Sequence, residues 1–291
     1  MEKNAIVVKS NALIETSYQL SLNEQVIILA CISQIRRDEP VTDDIMYSIS
    51  GTEFASLCGS NLKVAYRDLR SAALKLNARR VRITKYPNGK GNRKKVLVTG
   101  WVQSIEYTDG DGLVSLRFTR DILPYLSELK QCFTSYKLKN VVCMSSSYGA
   151  RLYESLMQWK DIGEREISID WIRKNFLLEK KYPQMSDFKK RVLDPAIKDI
   201  NEHSDLWVKW QQKKTGAKVT HLKFKFGLKK EQKPKPSKSE TKIQGVEKSI
   251  IEKDAKPGES YEQAAIRIKK LKSVIEKKQK ATSKEIETVT I

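Results

Sequence analysis

Lys189-Lys190-Arg191, with Gln184 and Ser186 just ahead of them, are the residues whose kind and spacing best suit a chemical task. Ammonium and guanidinium groups within one helical turn donate to guanine edges and to phosphate oxygens, and a glutamine can bridge an adenine edge. That is recognition chemistry. Groups for making and breaking bonds are scarce. The chain has 2 histidines, His203 and His221, neither with a His or Cys neighbour at metal-ligand spacing. This removes the two-histidine metal cluster that rolling-circle nucleases and conjugative relaxases place beside a tyrosine, so none of the 11 tyrosines stands out as a nucleophile. No Gly-x-x-x-x-Gly-Lys-Ser/Thr loop, Gly-x-Ser-x-Gly elbow or His-Glu-x-x-His helix occurs. The acidic pairs Asp43/Asp44 and Asp109/Asp111 fall in turn-like sequence, where solvation accounts for them. The 4 cysteines lack metal-type spacing, and Cys31 lies in an apolar run, so reduced, partly buried thiols are expected. The expectation is a protein that is not an enzyme, with no catalytic residue, no metal and no cofactor.

Charge says what such donors would meet. Among 291 residues, 55 Lys and Arg face 35 Asp and Glu, a formal +20. That balance suits a polyanion, either nucleic acid or an acidic membrane surface. No window approaches eighteen uninterrupted apolar residues and the N-terminus lacks a signal-peptide apolar core, so a soluble, cytoplasmic protein is expected.

The basic residues need a rigid carrier. At helical period, Phe188, Val192, Leu193, Ala196, Ile197 and Ile200 share an apolar side, while Asp187, Lys190, Arg191, Asp194, Lys198 and Asn201 share the other. Lys189 projects nearer the apolar side. Ser186 or Asp187 is the expected helix cap. Asp194-Pro195 should either kink the helix or start a second segment, because proline lacks a donor and crowds the preceding turn. Alternating runs at 205–210 and 219–226 around Lys213-Lys214-Thr215-Gly216 predict a hairpin. Ahead lie a helix pattern at 145–159, a strand at 165–168 and a short helix at 170–176.

Helix, strand, helix, helix, hairpin is the order of a winged helix-turn-helix, and it occurs twice. In the first copy, Ser21 and Glu24 form a capping-box pattern before an apolar run. A strand at 44–50, a helix at 51–58 with Thr52 as cap, and a helix at 62–76 follow. On the last, Leu62, Ala65, Leu69, Ala72, Ala73 and Leu76 face inward, and Lys63, Arg67 and Arg70 face away. Strands at 80–86 and 94–101 flank a basic wing, Pro87–Arg93, that carries Lys90 and Arg93. Alternating runs at 103–106 and 113–118 and a short helix at 121–129 separate the copies, with 130–140 as connector. The expected fold class is α+β: two tandem winged helix-turn-helix domains, at 1–129 and 130–228. A Lys- and Pro-rich linker opens a low-complexity basic tail at 229–291, mostly disordered apart from a helix pattern at 261–280.

Two stretches resemble the iteron-binding plasmid replication initiators, the RepE/RepA type of Rep protein. One is Val8–Glu15 with Leu20–Gln25; the other runs from Phe133–Leu138 through Tyr148–Glu154 to Phe188–Asn201. The resemblance spans about 5–228 and leaves out the tail. It implies tandem winged helices in pseudo-two-fold arrangement, monomers that bind directly repeated origin sites, and a homodimer in equilibrium with monomer that binds an operator inverted repeat and represses its own promoter. It also implies that 1–129 serves dimerisation and DNA-backbone contacts and 130–228 sequence recognition, and that the host initiator DnaA and the replicative helicase are recruited. By position, Lys190 and Arg191 match basic places in the family's recognition helix, with Lys189 beside them.

The expected base-reading residues are Lys190, Arg191, Gln184 and Ser186. The expected backbone contacts are Lys189, Lys198, Lys63, Arg67, Arg70, Lys90, Arg93, Lys213 and Lys214. Gripping successive major-groove faces, such a chain would cover roughly 20 bp of double-stranded DNA. A dedicated transcriptional repressor and a metal-dependent nicking nuclease are the alternative readings.

Overall fold

The computed structural model describes residues 4–36, 41–87, 96–108, 112–229, 242–244, 246–247, 250–251, 254 and 262–271. Residues up to Lys229 form one unit and residues from Lys230 another.

The first unit begins with β1 (Ile6–Ser10), α1 (Asn11–Ile14) and β2 (Ser17–Tyr18). Helix α2 (Leu22–Ile32) is buried from Glu24 through Ile32, as its unbroken apolar run from Val26 onward requires. The expected capping box forms: Ser21 N–H donates to Glu24 Oε2 at 2.7 Å and Glu24 N–H to Ser21 Oγ at 3.4 Å. The same buried carboxylate takes Arg79 Nη2 at 2.9 Å, so one residue both starts the helix and ties it to the far end of α4.

Strand β3 (Tyr47–Ser50) leads into α3 (Gly51–Cys58) and α4 (Leu62–Leu76), a helix-turn-helix with Gly59 in the left-handed region at φ 64°. Ser50, not Thr52, caps α3, because only Ser50 has the extended backbone of a cap and accepts from Glu53 N–H. On α4 the apolar side is buried as expected except Leu62, which is exposed in the first turn just past its Asn61 cap. Strands β4 (Arg80–Ile83) and β5 (Leu97–Gly100) pair antiparallel, and the wing tip with Lys90 and Arg93 lies outside the described residues. Strands β6 (Val102–Thr108) and β7 (Leu113–Phe118) pair antiparallel as well. Asp109 and Asp111 also lie outside the described residues. The helix expected at 121–129 is reduced to a single 3-10 turn, Leu123–Tyr125, with proline in its first positions.

The stretch 130–140 is not a connector. It holds β8 (Phe133–Lys137), antiparallel to β1, and the start of α5 (Lys139–Val142). Thr134 and Tyr136 are buried and their neighbours are not, so the run alternates like a strand. Its partner lies at the other end of the module, which is why no local signal marked it.

The second copy is α6 (Ser147–Met157), β9 (Glu164–Ser168), α7 (Ile169–Asn175), α8 (Met185–Phe188), a π turn (Lys189–Leu193), α9 (Asp194–His203), β10 (Leu206–Thr215) and β11 (Lys218–Leu228). Its sheet has the order β10-β11-β9, so the early strand closes the wing sheet. In the first copy the third strand is β2, set beside the first wing strand in the order β2-β4-β5, while β3 joins β7 and β6 in a separate sheet. The repeat is one of element order and not of strand pairing. A continuous apolar core runs through both copies, from Val7 and Ile28 to Leu193 and Phe226.

In the second unit, Val246, Ile251, Ala264, Ala265 and Ile268 form a small separate core. The helix over 262–271 buries Ala264, Ala265 and Ile268 as the spacing predicts, but leaves Leu271 half exposed. Residues 230–241 and 272–291 lie outside the described residues.

Candidate nucleic-acid interface

The helix carrying Lys189, Lys190 and Arg191 starts earlier than expected. Gln184 occupies the cap position with extended backbone (ψ 141°) and makes no side-chain cap bond, so Ser186 sits within the first turn instead of capping it. Gln184 and Ser186 are both exposed. The loop before them is held by Arg173 on α7. Its Nη1 donates to Lys181 O at 2.9 Å and its Nη2 to Tyr182 O at 2.6 Å, and its guanidinium lies 5.0 Å from the Phe188 ring centroid.

Asp194 does not cap a new helix, since it has helical φ −61° and ψ −44°. Pro195 offers no N–H to the carbonyl four residues back, and its ring would crowd that carbonyl. The turn widens instead: Asp194 N–H bonds to Lys189 O, a π-type step. Phe188, Val192, Leu193, Ala196 and Ile200 stay buried through the change, while Lys189, Lys190 and Arg191 are exposed.

Asp199, which sequence reasoning leaves unassigned, and Asn201, which it puts on the polar side, anchor the helix from behind. Asp199 is buried and accepts from Ser145 N at 3.1 Å, Ser145 Oγ at 2.9 Å and Ser146 N at 2.7 Å, at the mouth of α6. Asn201, expected on the solvent side, turns to the hairpin. Its Nδ2 donates to Val208 O at 3.0 Å and its Oδ1 accepts from Val208 N at 2.8 Å. Polar side chains at helical spacing look alike on exposed and buried faces, so nothing local distinguished them.

The other basic candidates divide into those with a protein partner and those aimed at solvent. The Lys189 ammonium sits 5.5 Å from the Trp210 ring centroid, toward the hairpin. Lys198 is 72% exposed and pairs weakly with Glu202 at 4.0 Å. Lys213 bonds Glu166 at 2.7 Å, and Lys223 reaches the same carboxylate at 3.7 Å. The Lys213 hydrogen bond, helped by Lys223, holds the Glu166 carboxyl below the usual range. Lys214 is exposed beside the turn, where Gly216 takes φ 61°. On α4, Lys63 is exposed, Arg67 bonds Asp68 at 3.0 Å, and Arg70 lies 5.7 Å from the Tyr107 ring centroid. The structure thus brings Gln184, Ser186, Lys189, Lys190 and Arg191 onto one short segment and puts Lys63, Arg67 and Arg70 on the equivalent helix of the first copy.

Among the described residues there is no cluster of His, Cys, Asp or Glu suited to a metal ion, and no helix long and apolar enough to cross a membrane.

Comparison with known proteins adds a family. Residues 6–157 match the family described as Initiator Replication protein, WH1, and residues 168–226 that described as Initiator Rep protein, WH2. A curated Escherichia coli protein called PI protein is 26% identical over 245 residues, 74% of this chain and 80% of its own length. An Escherichia coli replication initiation protein is 28% identical over 210 residues, 69% of this chain and 63% of its own. Among solved structures, the Pi initiator protein in complex with iteron DNA aligns over 79% of this chain and 100% of its own with a TM-score of 0.66. At 24% identity, that likeness is one of fold.

Proposed function

The chain belongs to the initiator replication protein family of paired WH1 and WH2 domains, and from that premise we propose that it starts plasmid replication by binding directly repeated origin sites through both modules. The observation that carries the reading is the pair of helix-turn-helix modules on one core, each leaving a basic helix face exposed. The similar Pi initiator is solved on iteron DNA. In this reading Lys190, Arg191, Gln184 and Ser186 meet base edges, since the leading residues of a recognition helix lie deepest in the major groove. Lys189, Lys198, Lys63, Arg67, Arg70, Lys90, Arg93, Lys213 and Lys214 hold phosphates. In the same reading residues 1–129 provide backbone contacts and dimerisation, and residues 130–228 read sequence. Monomers open the origin together with the host initiator and helicase, and dimers repress the chain's own promoter. The protein acts by binding and bending DNA in the cytoplasm and makes no covalent bond.

The test is footprinting and replication on one plasmid carrying direct repeats of about one to two helical turns beside an AT-rich run, and an inverted repeat at the promoter. Protection of the direct repeats, with replication that depends on them, is expected. Protection of the inverted repeat alone would favour a dedicated repressor. Nicking of supercoiled DNA in Mg²⁺ or Mn²⁺ would overturn the binding-only mechanism.

A further inference from the structure

Cys58 ends α3, the first helix of the leading helix-turn-helix, and Cys143 follows α5, the short helix that leads into α6. Both are free thiols, Cys58 half-buried and Cys143 exposed. The Cys143 thiol points at α3: its Sγ lies 3.7 Å from the carbonyl oxygen of Leu57, the residue before Cys58. Planar peptide geometry then leaves that sulfur within roughly 6–7 Å of the Cys58 Cα. A disulfide needs Cα separations of about 4.4–6.8 Å, so closing one takes a rotamer change at each thiol and a movement of the end of the four-residue helix α5 toward α3. Burial, with the neighbouring Cys143 sulfur adding to it, pushes the Cys58 thiol up to about 11, so at neutral pH Cys58 is a protonated reserve partner. Exposed Cys143 is the group an oxidant meets first.

We infer that Cys58 and Cys143 form a redox-modification site, a thiol pair that a hydroperoxide converts into a disulfide joining α3 to the joint between the two modules. The Cys143 thiolate attacks a peroxide oxygen and the O–O bond breaks. Cys143 becomes a sulfenic acid, and the departing oxygen takes up a proton to leave as water or alcohol. The Cys58 sulfur then attacks the sulfenyl sulfur, the S–O bond breaks, and the hydroxyl leaves as water with the Cys58 proton. Two thiols are oxidised and one peroxide is reduced. Cys143 stands two positions from Ser145, whose N–H and hydroxyl bond Asp199 on α9. The staple therefore fastens the first module to the seat of the second module's basic helix.

The test uses the full chain with hydrogen peroxide, thiol blocking by a maleimide, digestion without reductant, and mass spectrometry. A cross-linked Cys58–Cys143 peptide pair is expected, reversed by dithiothreitol and still formed in Cys132→Ser. The oxidised chain should also melt at a higher temperature than the reduced one, a rise missing from Cys58→Ser and Cys143→Ser. The inference is overturned by Cys143 progressing to sulfinic acid while Cys58 still takes maleimide. Disulfides found only between chains, or the same melting shift in Cys58→Ser, would also overturn it. None of these readouts depends on which DNA the protein binds.

Discussion

Lys9 and Glu154 meet in the interior at 2.7 Å, Nζ to Oε1, with side chains only 2% and 3% exposed. One lies on the first strand and the other on the helix that opens the second module. The Tyr136 hydroxyl, on β8, donates to the same Glu154 oxygen. One turn earlier on α6, buried Arg151 donates to Tyr18 O at 2.5 Å, Thr16 O at 2.5 Å and Asn175 O at 2.7 Å, and its guanidinium covers the Tyr18 ring at 3.8 Å. The seam between the winged helices is thus pinned by fully desolvated charges, which tolerate little sliding because each needs its partner in place.

Removing one member of the pair leaves the other charged and buried. Lys9→Met or Glu154→Leu alone should cost about 3–5 kcal/mol, and the double substitution should recover much of that loss. Denaturant midpoints of the full chain measure both; additive losses would mean that the two do not act as a pair.

The same pair sets an alkaline limit. Burial alone would lower the Lys9 ammonium, but the Glu154 carboxylate, joined by Tyr18, offsets it and holds Lys9 above its ordinary value of 10.5. A group raised on folding contributes fully below its unfolded pKa and loses that contribution as pH rises through the folded one. The denaturant midpoint should show no loss from Lys9 between neutral pH and about 10, and should fall above that range. The Lys9→Met/Glu154→Leu double variant should lack this component of the fall.

Base reading and phosphate holding separate by substitution. Arg191→Ala or Lys190→Ala should lose about 1–3 kcal/mol on the specific duplex and relax discrimination, whereas Lys214→Ala should weaken specific and random duplex alike. Titrations on both duplexes decide it, and equal losses for Arg191→Ala would remove that residue from the base-reading set.

Glu166 restrains two lysines. With Lys213 and Lys223 released, Glu166→Gln should bind any duplex more tightly and steepen the logarithmic salt dependence by about 0.9 for each lysine that gains a phosphate. Binding measured from 50 to 200 mM salt tests this; an unchanged slope would show that neither lysine reaches DNA.

What the sequence revealed was whatever repeats locally. Helix 62–76 is read to the residue, the Ser21–Glu24 box forms as written, and the buried side of the basic helix is the one its period selects. What escaped depends on partners far along the chain. Lys9, Arg151 and Asp199 are polar letters that would ordinarily mean solvent, and only the fold supplies the carbonyls, amides and carboxylate that bury them. The strand at 133–137 reads in sequence as a connector for the same reason, because its match is Ile6–Ser10. Arg173, which shapes the loop before Gln184, gave no local sign at all.

The widened turn at Lys189–Leu193 has a consequence for how such a protein can change. Each helical residue advances the azimuth by about 100°. Losing one codon there would let the coil tighten to that ordinary step, so that buried Phe188 ahead of it and Ala196 and Ile200 behind it keep their seats. A lineage carrying this turn can change which basic side chains it shows to a duplex through the loss of a single residue, with its interior left intact.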